Sequence, residues 1–136
     1  HHILQLNLPD DLLPEITIDE ARIVQVLSIL ISNAISYSPS GSEITLSVDI
    51  ENTRIIAKKI LCIRVIDHGI GIPDTEKKRI FDRFYRVDKS HKDKQHYGLG
   101  LSIAKNIILL HKGTLEVKDT EGGGSTFCIT LPINRK

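Results

Sequence analysis

The stretch Ile60-Leu61-Cys62-Ile63-Arg64-Val65-Ile66-Asp67-His68-Gly69-Ile70-Gly71-Ile72-Pro73 decides how the rest of the chain is read. Ile60 to Ile66 is an almost continuous apolar run, the pattern of a strand buried in a sheet. It ends at a carboxylate, Asp67, and the residues after it hold too much glycine and proline to continue a strand. Upstream, Ile44, Leu46, Val48 and Ile50 alternate as a preceding strand, with a polar connection at Glu51 to Arg54. Before that, Ile23, Val26, Leu27, Leu30, Ile31 and Ala34 recur at helical spacing from an N-cap at Asp19 to Ser38-Pro39. Asn33 falls at the edge of that apolar stripe. Leu4, Leu6 and Leu8 alternate with Ile3, Gln5 and Asn7 until Pro9, which predicts a half-buried strand, and a short extended piece follows around Ile16 to Ile18.

Downstream, Asp74 to Ile80 reads as a short helix. Arg83 to Tyr97 carries five basic residues, two acidic ones and two histidines, with almost no aliphatic character. A stretch of that length and polarity inside a compact domain is usually functional. Gly98-Leu99-Gly100 opens a second main helix that runs to about Leu110, with Ile103, Ile107 and Leu110 on one face and Gly113 as its stop. Leu115 and Val117, then Phe127, Ile129 and Leu131, form a closing antiparallel pair around the turn Gly122 to Gly124. Helices on one face of a mixed sheet suit this order: an α/β (α+β) two-layer sandwich with about five strands and about three helices.

At 136 residues and 15.2 kDa the chain fits one domain over 1–136. A net charge of +1 argues against binding nucleic acid through bulk positive charge. Cys62 and Cys128 sit in strand-like runs without metal-knuckle spacing and read as inert buried thiols. No apolar run reaches the roughly 20 residues of a membrane span, and the start carries no signal-peptide pattern. Aromatics are only 4%, and four of the six, Phe81, Phe84, Tyr85 and Tyr97, flank or begin the polar stretch. That placement suggests work other than filling the core.

Each glycine motif is weak alone; their order is specific. Asn33 on a helix, Asp67-x-Gly69-x-Gly71, Phe81-Asp82-Arg83-Phe84-Tyr85-Arg86, Gly98-Leu99-Gly100-Leu101 and Gly122-x-Gly124-Ser125-Thr126-Phe127 follow one another. This series resembles the N, G1, F, G2 and G3 boxes of the catalytic ATP-binding domain of bacterial sensor histidine kinases, a Bergerat-type fold in the wider group shared with gyrase, Hsp90 and MutL. The resemblance implies binding of ATP with Mg²⁺ and transfer of the γ-phosphoryl group to a histidine on a separate helical dimerisation domain. It also implies a cognate response regulator as partner, no direct membrane contact by this domain, and a cytoplasmic position in a parent anchored in the cell membrane.

The resemblance gives the boxes their roles. Asp67 accepts a hydrogen bond from the adenine amino group, where guanine offers an acceptor instead. Gly69 and Gly71 let backbone approach the base, with Ile72 beside it. Asn33 supplies an oxygen to Mg²⁺, a hard ion suited to phosphate and water oxygens. Tyr37, Arg86, Tyr97, Gly98, Leu99, Gly100, Leu101 and Thr126 complete the nucleotide-binding set, the helix opened by Gly98 and Gly100 facing phosphate with its free N–H groups. The ATP lid covers about 83–97, anchored by packing of Phe81 and Phe84. His68 takes a place on the pocket rim, and His111 is structural.

The chain departs from the pattern where Ile29 stands one turn before Asn33 in place of a polar residue, where Ser36 replaces a common lysine, and where His96 replaces a glycine. Ile29 and Ser36 motivate a rival reading, a non-catalytic nucleotide-binding pseudokinase module. A gyrase, Hsp90 or MutL type ATPase is a second rival. None of the six histidines has the context of a phosphoacceptor, so the chain by itself is expected to bind ATP with little autophosphorylation.

Overall fold

The computed structural model describes residues 2–10, 15–52, 59–85 and 99–133. Two α-helices, α1 (Glu20–Ser36) and α2 (Gly100–Leu110), pack against a sheet of β1 (Ile3–Asn7), β2 (Glu43–Asn52), β3 (Lys59–Ile66), β4 (Thr114–Asp119) and β5 (Ser125–Pro132). The strand order is β1-β2-β3-β5-β4, with β1 parallel to β2 and every other pair antiparallel. The parallel pair needs a long crossover, and α1 supplies it. This is the mixed two-layer sheet that the sequence pattern implies.

Register explains the core. Leu46, Val65, Phe127 and Val117 lie abreast on neighbouring strands, as do Val48, Ile63, Ile129 and Leu115. Alternation sends both rows to one face, where they meet Ile23, Val26, Leu30 and Ala34 of α1 and Ala104, Ile107 and Ile108 of α2. Leu30, Ile108, Leu115 and Ile129 are fully buried, each burial contributing roughly 1.5–3 kcal/mol.

The other face of the sheet is polar. Arg64 pairs with Asp49 at 3.4 Å and Glu51 at 3.0 Å, and the Cys62 thiol donates to Glu51 Oε2 at 2.6 Å. Burial, helped by that carboxylate, pushes the Cys62 thiol up to about 12, so it stays protonated and inert at neutral pH. Cys128 is half-buried, and both cysteines are free.

The helix ends follow their local chemistry. Asp19, in an extended conformation, caps α1 by accepting from the Arg22 amide at 3.2 Å. At the end of α2 the Lys112 amide donates to Leu109 O at 3.0 Å and the Gly113 amide to Ile108 O at 2.9 Å, a Schellman motif. The left-handed residue there is Lys112, at φ 63°. Gly113 serves a different need from the stop expected of it: a Cβ would stand 2.1 Å from the Thr130 carbonyl oxygen.

Two local expectations are revised. The strand Ile3–Asn7 is exposed on both faces rather than half-buried, with Leu4 and Leu6 60% and 59% exposed. It is the outermost strand, and the helices cover its neighbours instead. The helix expected over Asp74 to Ile80 is two 3-10 turns, Asp74–Glu76 and Arg79–Phe81. No helix among the described residues is long and apolar enough to cross a membrane.

Candidate nucleotide site at the ends of β3 and β5

The site is built around Asp67, which is 4% exposed. Its Oδ1 accepts the amides of Gly69 and Ser125, both at 3.0 Å, and its own amide donates to Ser125 O at 2.9 Å. Two N–H donors on one oxygen fix the carboxylate's plane and aim Oδ2. A carboxylate so held is an oriented acceptor.

The loop after Asp67 is held by main chain. Ile70 donates its amide to Tyr37 O at 3.3 Å, and a Cβ on Gly69 would stand 2.1 Å from that same oxygen. The loop is thereby stapled to the end of α1, where Tyr37 is the C-cap and donates its amide to Asn33 O at 3.1 Å. Gly71, at φ 76°, lies 3.6 Å in Cβ reach from Gly124 O. Gly124, at φ 110°, would put a Cβ 2.1 Å from Asp67 O. Ile72 packs against the core, and its carbonyl accepts Lys77 Nζ at 2.9 Å. Lys77 also pairs with Asp119 at 3.0 Å and with Asp74, tying the loop to β4.

Half-buried Asn33 stands one helical turn after Ile29. Ile29 Cγ2 lies 3.2 Å from where a Cβ on Gly100 would be. The unusual Ile29 is therefore a packing residue that seats the first turn of α2 against α1. That turn begins after Leu99, which accepts from Ser102 Oγ at 2.8 Å, while Leu101 packs on the core. Main-chain hydrogen bonds thus join Asn33 and Tyr37 at the end of α1 to the loop that carries Asp67, Gly69, Gly71 and Ile72, and Gly100, between Leu99 and Leu101, lies against Ile29 of α1. Arg86, Tyr97 and Gly98, with His96, lie outside the described residues.

Thr126 is not brought to Asp67. It pairs in register with Ile66, and its hydroxyl meets that of Thr120 at 2.9 Å. The residue beside Asp67 is Ser125, 5% exposed, which was not in the expected nucleotide-binding set. Period-2 alternation held the signal: Phe127 faces the core, so Ser125 faces that side and Thr126 the other.

The two phenylalanines divide. Phe81 packs edge-on to Phe127, with ring centroids 6.2 Å apart and an interplanar angle of 84°. Phe84 is 66% exposed at φ 65°, with Arg83 5.4 Å from its ring. Packing as an anchor holds for Phe81 alone. His68 is exposed. His111 accepts the Asp19 amide on Nε2 at 3.0 Å and donates from Nδ1 to Ile107 O at 2.9 Å, which links the two helices. Among the described residues no cluster of three or more His, Cys, Asp or Glu could hold a metal.

The fold is that of an ATPase domain of the kinase and gyrase class. Residues 18–135 match the family model described as histidine kinase-, DNA gyrase B-, and HSP90-like ATPase, and the chain belongs to that family. It is 46% identical over 132 residues to the sensor histidine kinase WalK of Bacillus subtilis (strain 168), covering 96% of this chain and 21% of that protein. The chain thus spans about a fifth of that relative's length. Among solved structures, the catalytic domain of the histidine kinase ThkA superposes with a TM-score of 0.78 at 27% identity, over 97% of this chain and 79% of that one. Full-length ShkA in complex with AMPPNP shares the fold, with a TM-score of 0.78 at 24% identity over 99% of this chain and 26% of that one.

Proposed function

We propose that this domain binds ATP with Mg²⁺ and passes the γ-phosphoryl group to a histidine on a separate helical dimerisation domain, as the catalytic part of a two-component sensor kinase. The observation that carries the reading is Asp67: a buried carboxylate with Oδ1 held by two backbone amides. Oδ2 is then the acceptor for the adenine amino group, and the glycine backbone at 69 and 71 lies along the base. Support also comes from the kinship with WalK and ThkA and from the ATP analogue that the ShkA structure contains.

The donor set fits Mg²⁺ bound mainly through nucleotide. With no acidic cluster among the described residues, the Asn33 amide oxygen would be the protein ligand, and phosphate and water oxygens would supply the rest of the shell. The ion supplies charge neutralisation across the phosphates. The chain's own residues do the positioning. Asp67 and Tyr37 set the base end, and the first-turn amides of α2 offer donors to phosphate. In the transfer, the deprotonated imidazole nitrogen of the acceptor bonds to the γ-phosphorus, the bond to the β,γ-bridging oxygen breaks, and ADP leaves. The dimerisation domain supplies the acceptor, the response regulator receives the phosphoryl group next, and the parent protein is membrane-anchored.

Asp67→Asn tests the assignment. The Asn oxygen can still accept both amides, so the fold is kept, while its NH₂ faces the adenine amino group donor to donor. ATP affinity, read by titration with a fluorescent analogue, falls about 10- to 100-fold, and discrimination against GTP narrows. Unchanged affinity for ATP overturns the adenine assignment. A second reading, a module that binds nucleotide without transfer, draws on Ile29 standing where a polar residue is common. The packing of Ile29 on Gly100 gives that residue a structural task, which favours the kinase.

A further inference from the structure

Lys105 stands outside every motif discussed so far, yet it touches the elements on both sides of residues 86–98. On α2 it follows Leu101 by four residues and precedes Ile108 by three, so its stem lies along the helix side that faces the core. A half-buried lysine on a helix flank ordinarily runs its amine out to water. Here Nζ turns inward and donates to the Leu115 carbonyl at 2.7 Å. The same Nζ lies 5.0 Å from the centroid of Phe81.

Each contact has a physical cause. Leu115 is fully buried in β4, the outermost strand on its side of the sheet, where no further strand among the described residues pairs the outward carbonyls. A buried carbonyl demands a donor, and an ammonium group gives it a charge-assisted one. Phe81 presents its ring to the cation while Phe127 meets it edge-on. An ammonium against a ring and a carbonyl, both electron-rich, is attracted to both at once. The same 3-10 turn adds a second cation on a ring, Arg79 at 5.5 Å from Tyr85.

We infer that Lys105 is a positioning residue for phosphoryl transfer: it latches the second 3-10 turn, through Phe81, to α2 and β4, and so fixes the residues before 86–98 relative to the helix after them. This rests on the kinase reading of the nucleotide site. It goes beyond it by assigning a residue that touches neither base nor metal. Among the described residues the hydrogen bonds of Asp67 run to Gly69 and Ser125, and that of Lys105 runs to Leu115 O. Removal of Lys105 therefore acts on the alignment of bound ATP with the acceptor rather than on holding the base.

Two variants and two measurements decide it. Lys105→Met keeps the length of the stem and removes the charge and the donors. Lys105→Arg keeps both, and a guanidinium stacks well on aromatic rings. Hydrogen exchange on the 136-residue chain reads the latch directly. In Lys105→Met the amides of Asp82 and Tyr85 exchange about tenfold faster, while those of Gly69 and Ser125 keep their wild-type rates. Transfer from ATP to the acceptor domain supplied in trans loses about tenfold or more in kcat, with the KM for ATP within about threefold of wild type. Lys105→Arg recovers most of both. Unchanged exchange at Asp82 and Tyr85 overturns the latch. A parallel loss in kcat and KM, with faster exchange throughout and no recovery in Lys105→Arg, reduces Lys105 to general stability and overturns the positioning role. A wild-type chain that binds no ATP sinks the kinase reading instead, and the exchange result then stands alone in deciding the latch.

Discussion

Two segments that follow β3 are held in opposite ways. Asp67 to Pro73 is fixed by main chain: two amides on one carboxylate oxygen, one amide on Tyr37 O, and glycines whose missing Cβ atoms let backbone segments touch. Arg79 to Tyr85 is held by side-chain faces: Phe81 on Phe127, Lys105 over Phe81, Arg79 over Tyr85. Backbone contacts tolerate almost no displacement. Ring and cation contacts weaken gradually with distance and angle, so a segment held by them can shift without losing its anchor. Under the proposed function, a loop that reads a base by hydrogen-bond direction suits the first kind of restraint.

The sharpest break in this contrast is Gly124→Ala. The added methyl group would stand 2.1 Å from Asp67 O, at a φ of 110° that L side chains rarely adopt. Neither backbone can yield without losing the Asp67–Ser125 pairing. Unfolding in urea should show a loss of about 4 kcal/mol, at the upper end for single substitutions. Gly71→Ala is the control within the same loop. Its nearest atom is at 3.6 Å, so only the positive φ counts, and the loss is about 1 kcal/mol. Equal losses at the two positions would show that backbone contact is not what fixes the loop.

Next in size is Asp67→Ala, which differs from the Asn variant in leaving two donors without a partner. The Gly69 and Ser125 amides face a buried space once the carboxylate is gone, at a cost of about 2–3 kcal/mol. The thermal midpoint of Asp67→Ala should thus fall well below that of Asp67→Asn, although the proposed function has both weaken ATP binding. Matching midpoints would mean that the carboxylate serves the ligand alone and not the loop.

Much of this was legible beforehand. The α1 stripe, the Asp19 cap and the apolar β3 run follow from 3.6- and 2-residue periodicity, and the structure repeats them within a residue or two. What was not legible depended on neighbours far away in the chain. Leu4 and Leu6 alternate correctly, yet whether a strand is covered depends on how far the helices reach across the sheet. Asp74 to Phe81 breaks into two 3-10 turns because its restraints are Lys77 on Ile72 O and Phe81 on Phe127, which pull on it from two sides. Ile29 looked like a missing polar ligand and is explained by Gly100, seventy-one positions away. Thr126 was placed in the nucleotide-binding set, whereas strand parity puts Ser125 on the side of Asp67.

The smallest effect tests the softer loop. Arg79 is exposed, and its guanidinium lies 5.5 Å from the Tyr85 ring. At an exposed site such a contact contributes about 0.5–1 kcal/mol. Arg79→Ala should therefore leave the urea midpoint almost where it was, with the loss inside that range. Its signature is local: the Tyr85 amide, which donates to Asp82 O at 3.3 Å, exchanges faster while Asp82, bonded to Arg79 O at 2.9 Å, changes little. Arg79→Lys should fall between the two, since an ammonium group keeps the charge but not the planar stacking. If Arg79→Ala instead destabilised the chain as much as Gly71→Ala, the second loop would be as stiffly held as the first, and the division between backbone-fixed and face-held restraint would not describe this molecule.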